Sequence, residues 1–125
     1  MPNDFQVRQR VSDIPEPVRV AFAKAMREDT FLFAESGAQW RSGCAGEREL
    51  PARRLTSVAT CGSLCLVFYE RGGFAKTDDV TLFRVHSGGA EPVWHAYRDP
   101  EVRDLVSLKA AIKAKRMRVG DRSFF

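Results

Sequence analysis

The spacing of hydrophobic positions changes twice along this chain. Between residues 14 and 26, Ile14, Val18, Ala21, Phe22, Ala25 and Met26 recur at intervals of three and four. That spacing predicts an amphipathic helix, with Arg19, Ala23, Lys24 and Arg27 around its other side. Asp13 is expected to cap its first turn, and Pro15 and Pro17 fit there because no intrahelical N–H is needed. The helix should end near Glu28 or Asp29. Thr30–Ala34 either extends it or forms a short buried strand. Glu35-Ser-Gly37 reads as a turn. Gln39–Ser42 reads as an outer strand or a loop anchored by Trp40, and residues 43–54 as the longest irregular connection.

From residue 54 the runs are short and rich in β-favouring residues. Arg54–Thr60, Ser63–Glu70, Val80–His86 and Val93–Arg98 predict strands, and Phe74–Thr77 could prolong the pairing. Arg71-Gly-Gly73, Asp78-Asp79 and Ser87–Pro92 read as the turns between them. No connection among these strands is long enough for a crossover helix, which argues against a parallel sheet. Helical spacing then returns. Asp99 and Pro100 open a second helix, Val102, Leu105, Leu108 and Ile112 form its stripe, and Gly120 stops it. The expected fold is α+β: a four- to five-stranded antiparallel meander, with the N-terminal and C-terminal helices packed on one face. Residues 13–120 make the single domain, residues 1–12 are a flexible end or a short edge strand, and residues 121–125 are a tail.

The most apolar stretch, Cys61–Glu70, divides into two faces. Leu64, Leu66 and Phe68 should form core. Cys61, Ser63, Cys65, Val67 and Tyr69 share the other side, which is polar enough to line a cleft or an uncovered face.

Composition narrows the class. An apolar fraction of 44% and a charged fraction of 29% over 125 residues are those of one soluble globular domain. No apolar run approaches the roughly 18 residues of a membrane helix, and no secretory signal is visible, so no membrane association is expected. Three cysteines, Cys44, Cys61 and Cys65, read as reduced thiols in a cytoplasmic protein. The net charge of +4 is uneven. Residues 1–104 hold 14 Lys/Arg and 15 Asp/Glu, a net of −1, whereas residues 105–125 hold six Lys/Arg and one acid, a net of +5.

Candidate chemistry is sparse. A metal site would have to recruit Cys44, Cys61, Cys65, His86 or His95, but Cys-x3-Cys along a strand spaces its thiols poorly for one zinc ion. No metal and no cofactor are expected. The pairs Gly72-Gly73 and Gly88-Gly89 lack the flanking residues of a phosphate-binding loop and read as hairpin turns. His95 is the preferred general acid–base, near Tyr69 and Glu70, with Asp78, Asp79 and Glu91 as further carboxylates whose spacing selects none. The sharpest signal is the basic C-terminal helix, where Lys109, Lys113 and Arg116 flank the apolar stripe and Arg118 points elsewhere.

The preferred reading is a small cytoplasmic non-catalytic binding or adaptor protein. It would contact an acidic protein or nucleic-acid partner through Lys109, Lys113, Arg116 and Arg118. The alternative is a small-molecule-binding protein or enzyme, with a pocket between the curved sheet and the N-terminal helix lined by Cys65, Tyr69, Trp94 and His95. A homodimer is compatible with either.

Overall fold

The computed structural model describes residues 6–25, 33–38, 52–72, 76–98, 104, 106–108 and 118–119. Its centre is an antiparallel sheet in simple meander order: β1 (Gln6–Arg8), β2 (Arg53–Cys61), β3 (Leu64–Arg71), β4 (Thr77–His86), β5 (Gly89–Tyr97) and β6 (Arg118–Val119). Helix α1 (Glu16–Ala25) packs on it, so the class is α+β. The long strands β2–β5 were legible from their apolar runs. β1 and β6 are short edge pairings on β2 and β5.

Two-residue turns join β2 to β3 and β4 to β5. Gly62 holds φ +55° in the first, a backbone that glycine adopts without a steric cost. In the second, His86 pairs directly with Gly89, so the turn is Ser87-Gly88 alone. The expected six-residue turn Ser87–Pro92 is therefore shorter, and β5 begins at Gly89. Pro92 is accommodated next to a bulge, where a strand tolerates a missing N–H. Asp78 and Asp79 likewise lie inside β4 rather than in a turn. Aspartate disfavours strands, but these two have partners that offset the cost, described below.

Both faces of the central strands are apolar, and each is covered. On one face, Ile14, Val18 and Phe22 pack with Phe33, Leu55, Val58, Cys65, Val67, Tyr69 and Phe83. On the other, Ala59, Leu66, Phe68, Val80 and Ala96 pack with Leu108. Leu108 belongs to the helical residues 106–108. It therefore covers the face opposite α1, which corrects the expectation that both helices share one face. The physical reason is the sequence of β3: Cys65, Val67 and Tyr69 are as buried as Leu66 and Phe68, so neither face can be left to water.

Capping also differs from expectation. Asp13 ends a 3-10 turn (Val11–Asp13) and its carboxylate accepts the Arg10 N–H at 3.3 Å, so it does not cap α1. Pro15 starts that helix, its carbonyl accepting the N–H groups of Val18 and Arg19. At the other end of the chain, Asp104 and Ser107 form a reciprocal cap. Asp104 Oδ1 accepts the Ser107 N–H at 2.9 Å, and Ser107 Oγ accepts the Asp104 N–H at 3.1 Å. A helical start thus falls at Asp104; the expected cap at Asp99 lies outside the described residues. So do residues 39–51, with the outer strand or loop expected at Gln39–Ser42. Phe33 and Ala34 are buried, Ala34 bridges Arg54 in parallel, and the turn at Gly37 holds φ +80°.

Candidate functional site

The polar groups of the sheet gather at one end, and two β-bulges place them there. In the β4–β5 pair, Phe83 faces Pro92 but Leu82 faces Trp94, so Val93 is the extra residue. A one-residue slip moves every later side chain to the other face. His95 therefore comes opposite Thr81 and Tyr97 opposite Asp79, all on the α1 side. Trp94 goes opposite Leu82, on the Leu66/Phe68 side. In the β2–β3 pair, Leu55 faces Tyr69 but Ser57 faces Phe68, so Thr56 is the extra residue.

On the α1 side, His95 Nε2 donates to Asp79 Oδ2 at 2.6 Å across a diagonal of the ladder. Both side chains are fully buried. Thr77 Oγ1 donates to Asp79 Oδ1 at 2.6 Å, and Arg71 Nε donates to Thr77 Oγ1 at 3.3 Å. Arg71 Nη2 lies 4.0 Å from Asp79 Oδ2. Next along the face, the Tyr69 and Thr81 hydroxyls are 3.1 Å apart. Burial, and then the Asp79 charge, push the Tyr69 hydroxyl well above the usual phenol range; the Thr81 hydrogen bond and the charges of Arg71 and Arg53 oppose this. The His95 ring also meets Tyr97 edge-on at 5.2 Å.

On the opposite side, Arg98 runs beneath the end of the sheet. Its Nε donates to the Asp79 carbonyl at 2.8 Å, and its Nη2 donates to the Tyr69 carbonyl and the Thr56 hydroxyl, both at 2.9 Å. One guanidinium thus ties β4, β3 and β2 together. Asp78 Oδ1 lies 4.0 Å away as counter-charge. Arg54 and Glu70 pair at 2.7 Å on the same side.

These positions separate the residues expected to act together. Cys65, Tyr69 and His95 do share a face, beneath α1 and its neighbours, and are 0–1% exposed. Trp94 lies on the other face and does not join them. Glu70 engages Arg54, so the carboxylate beside His95 is Asp79. Burial pushes the Cys65 thiol up to about 12, which keeps it protonated and unreactive near neutral pH. Among the described residues, no group of three or more His, Cys, Asp and Glu side chains is arranged to hold a metal ion.

Arg118 lies in β6, its backbone paired with Tyr97, and not in a helix. Lys109, Lys113 and Arg116 lie outside the described residues. Among the described residues, no helix is long and apolar enough to cross a membrane. An open groove of about 470 Å³ does lie between α1 and the β4–β5 turn, lined by Glu16, Val20, Lys24, His86 and Ser87 among others. It contains none of Cys65, Tyr69, Trp94 and His95.

As folded, the Asp79–His95 pair is closed to a substrate-sized molecule. What the arrangement does is orient: it fixes β4 against β5, as Arg98 fixes β4 against β3 and β2. Reasoning from sequence named Asp79 without selecting it, and passed over Arg98 and Thr56. The bulge that brings His95 to the face of Asp79 has no signature in residue type.

The chain matches no protein-family model, no curated protein and no solved structure.

Proposed function

We propose that this protein is a non-catalytic binding module of the cytoplasm, which contacts an acidic partner through its basic C-terminal segment. The observation that supports a surface role is the burial of the groups best suited to chemistry. Cys65, Tyr69, Asp79 and His95 are each 0–1% exposed, and the hydrogen bonds of Tyr69, Asp79 and His95 lie within the sheet. A catalytic group must reach its substrate. The charge distribution points to the contact region, since residues 105–125 carry a net of +5 against −1 for the remainder. A positive segment on a nearly neutral body steers acidic partners to one place. β6 anchors this segment at the β5 edge through Arg118 and Val119. Lys109, Lys113 and Arg116 form the contact. The partner is an acidic protein surface or a nucleic-acid backbone.

The test is binding to duplex DNA and, separately, to polyglutamate across a salt series. Affinity for at least one should fall steeply with salt. Changing Lys109, Lys113 and Arg116 together to Ala should weaken it by about tenfold or more and reduce the salt slope by about three for DNA. Binding to neither polymer, or an unchanged slope in the triple variant, contradicts the proposal.

A further inference from the structure

We infer that the groove between α1 and the β4–β5 turn binds a short peptide by its two free ends, with an apolar side chain between them. This site does not rest on the proposed role of the C-terminal segment. The groove holds about 470 Å³, within the size range of small-ligand sites. Glu16, Val20 and Lys24 line it and recur at intervals of four, so they form one stripe along the helix. The stripe reads acid, apolar, base.

Glu16 and Lys24 stand eight residues apart, about 12 Å along the helix axis. A glutamate and a lysine three or four residues apart can pair with each other; at eight, each charge is left to an outside partner. Both side chains are exposed, and among the described residues neither has an ionic partner. Val20 between them is 59% exposed, so covering it would remove apolar surface from water. Ala21 and Ala90, which also line the groove, are half-buried and pack against the core beneath α1. The floor is therefore fixed before a ligand arrives, which lowers the ordering cost of binding.

The opposite wall adds donors. His86 Nδ1 accepts the Gly88 N–H at 3.2 Å, so the proton of the neutral ring sits on Nε2. His86 and Ser87 are exposed in the groove, and each offers a polar hydrogen to a ligand. An acid and a base at the two ends of an apolar strip match a molecule with an ammonium at one end, a carboxylate at the other and an apolar group between. An extended tripeptide has this order, and its ends are about 10 Å apart. A single amino acid is too short to meet both charges, and a fatty acid has no ammonium for Glu16. The ammonium thus belongs at Glu16 and the carboxylate at Lys24.

The test is a titration of the full chain with the tripeptide Ala-Leu-Ala, followed by backbone amide resonances. Those of Val20, Ala21, Gly89 and Ala90 should move together and saturate, with a dissociation constant of about 0.1–1 mM. Acetylating the peptide's N-terminus, or amidating its C-terminus, should each weaken binding about two- to fivefold. Glu16→Gln should weaken the free peptide by the same factor and leave the acetylated peptide unaffected. Lys24→Gln should do the same with the amidated peptide. Both positions are exposed, so these variants keep the fold. Val20→Ser should weaken the free peptide by about threefold, whereas the Lys109/Lys113/Arg116 triple variant should bind it normally. No saturable movement below about 10 mM, or an affinity indifferent to both blocking groups, would overturn the site. Acetylation matching Lys24→Gln in place of Glu16→Gln would overturn the placement of the ends.

Discussion

Replacing Arg98 with Met is expected to lower the stability of the protein by about 3–5 kcal/mol, the largest loss for any polar side chain described. Arg98 is 6% exposed and reaches three strands from one position. Met fills much of the volume but donates no hydrogen bond. The Thr56 hydroxyl and the carbonyls of Tyr69 and Asp79 would lose a charged donor where water does not readily replace it, while Asp78 would keep its ion pair with Lys76 at 3.0 Å. Each such loss costs about 1–3 kcal/mol. Arg98→Lys keeps the charge yet cannot present the same planar fork, so it should recover less than half of the loss. Urea unfolding of the three proteins measures this. A loss under about 1 kcal/mol for Arg98→Met would show that the guanidinium does not hold the strand ends together.

Phe22→Ala is expected to cost about 3–5 kcal/mol, by removing the ring that joins α1 to the sheet. Phe22 is fully buried. Its ring centroid lies 5.2 Å from Phe33, 5.4 Å from Tyr69 in an edge-on arrangement and 4.7 Å from Phe83. Truncation loses these contacts and leaves a cavity that the rigid sheet cannot close. Phe22→Leu should cost about 1–2 kcal/mol, since most of the volume is retained. Val20→Ala, on the exposed side of the same helix, should change stability by no more than about 0.5 kcal/mol. The order Ala, then Leu, among the Phe22 variants, with Val20→Ala nearly neutral, is the expected thermal-unfolding result. Equal effects at Phe22 and Val20 would contradict the packing of α1.

The contrast between these two residues shows what the sequence could convey. Phe22 was legible because it recurs with Ile14 and Val18 at helical spacing, and periodicity reports which side of a helix meets the core. The meander was legible because β2–β5 are apolar runs divided by short turns. Arg98 was not, because its role depends on three strands meeting at one point. Thr56 and Val93 were not, because nothing in a bulge residue's type announces the bulge. Their effect is large: without the extra residue Val93, His95 would lie on the Val80 side, away from Asp79. Asp78 and Asp79 read as a turn because propensity treats aspartate as solvated, whereas here Arg98 and His95 supply charge and hydrogen bonds within the sheet. The two-sided core was half visible. Alternation along Cys61–Glu70 separated Leu66 and Phe68 from Cys65 and Tyr69, but a face made of Cys, Val and Tyr reads equally as a cleft wall or as core.

That last distinction also decides the functional reading, because a filled face directs interaction to the surface and an open one would admit a ligand to His95. The direct measurement is the reactivity of Cys65 in a Cys44→Ser/Cys61→Ser variant, where it is the remaining thiol. With Cys65 beneath α1 and its ionisation pushed up to about 12, labelling of the native protein should be slower than in denaturant by about a thousandfold or more. It should accelerate in step with global unfolding as urea is added. Labelling of the native protein within about tenfold of the denatured rate would mean that the face is open, and would contradict the account of this protein as a surface-binding module with a sealed interior.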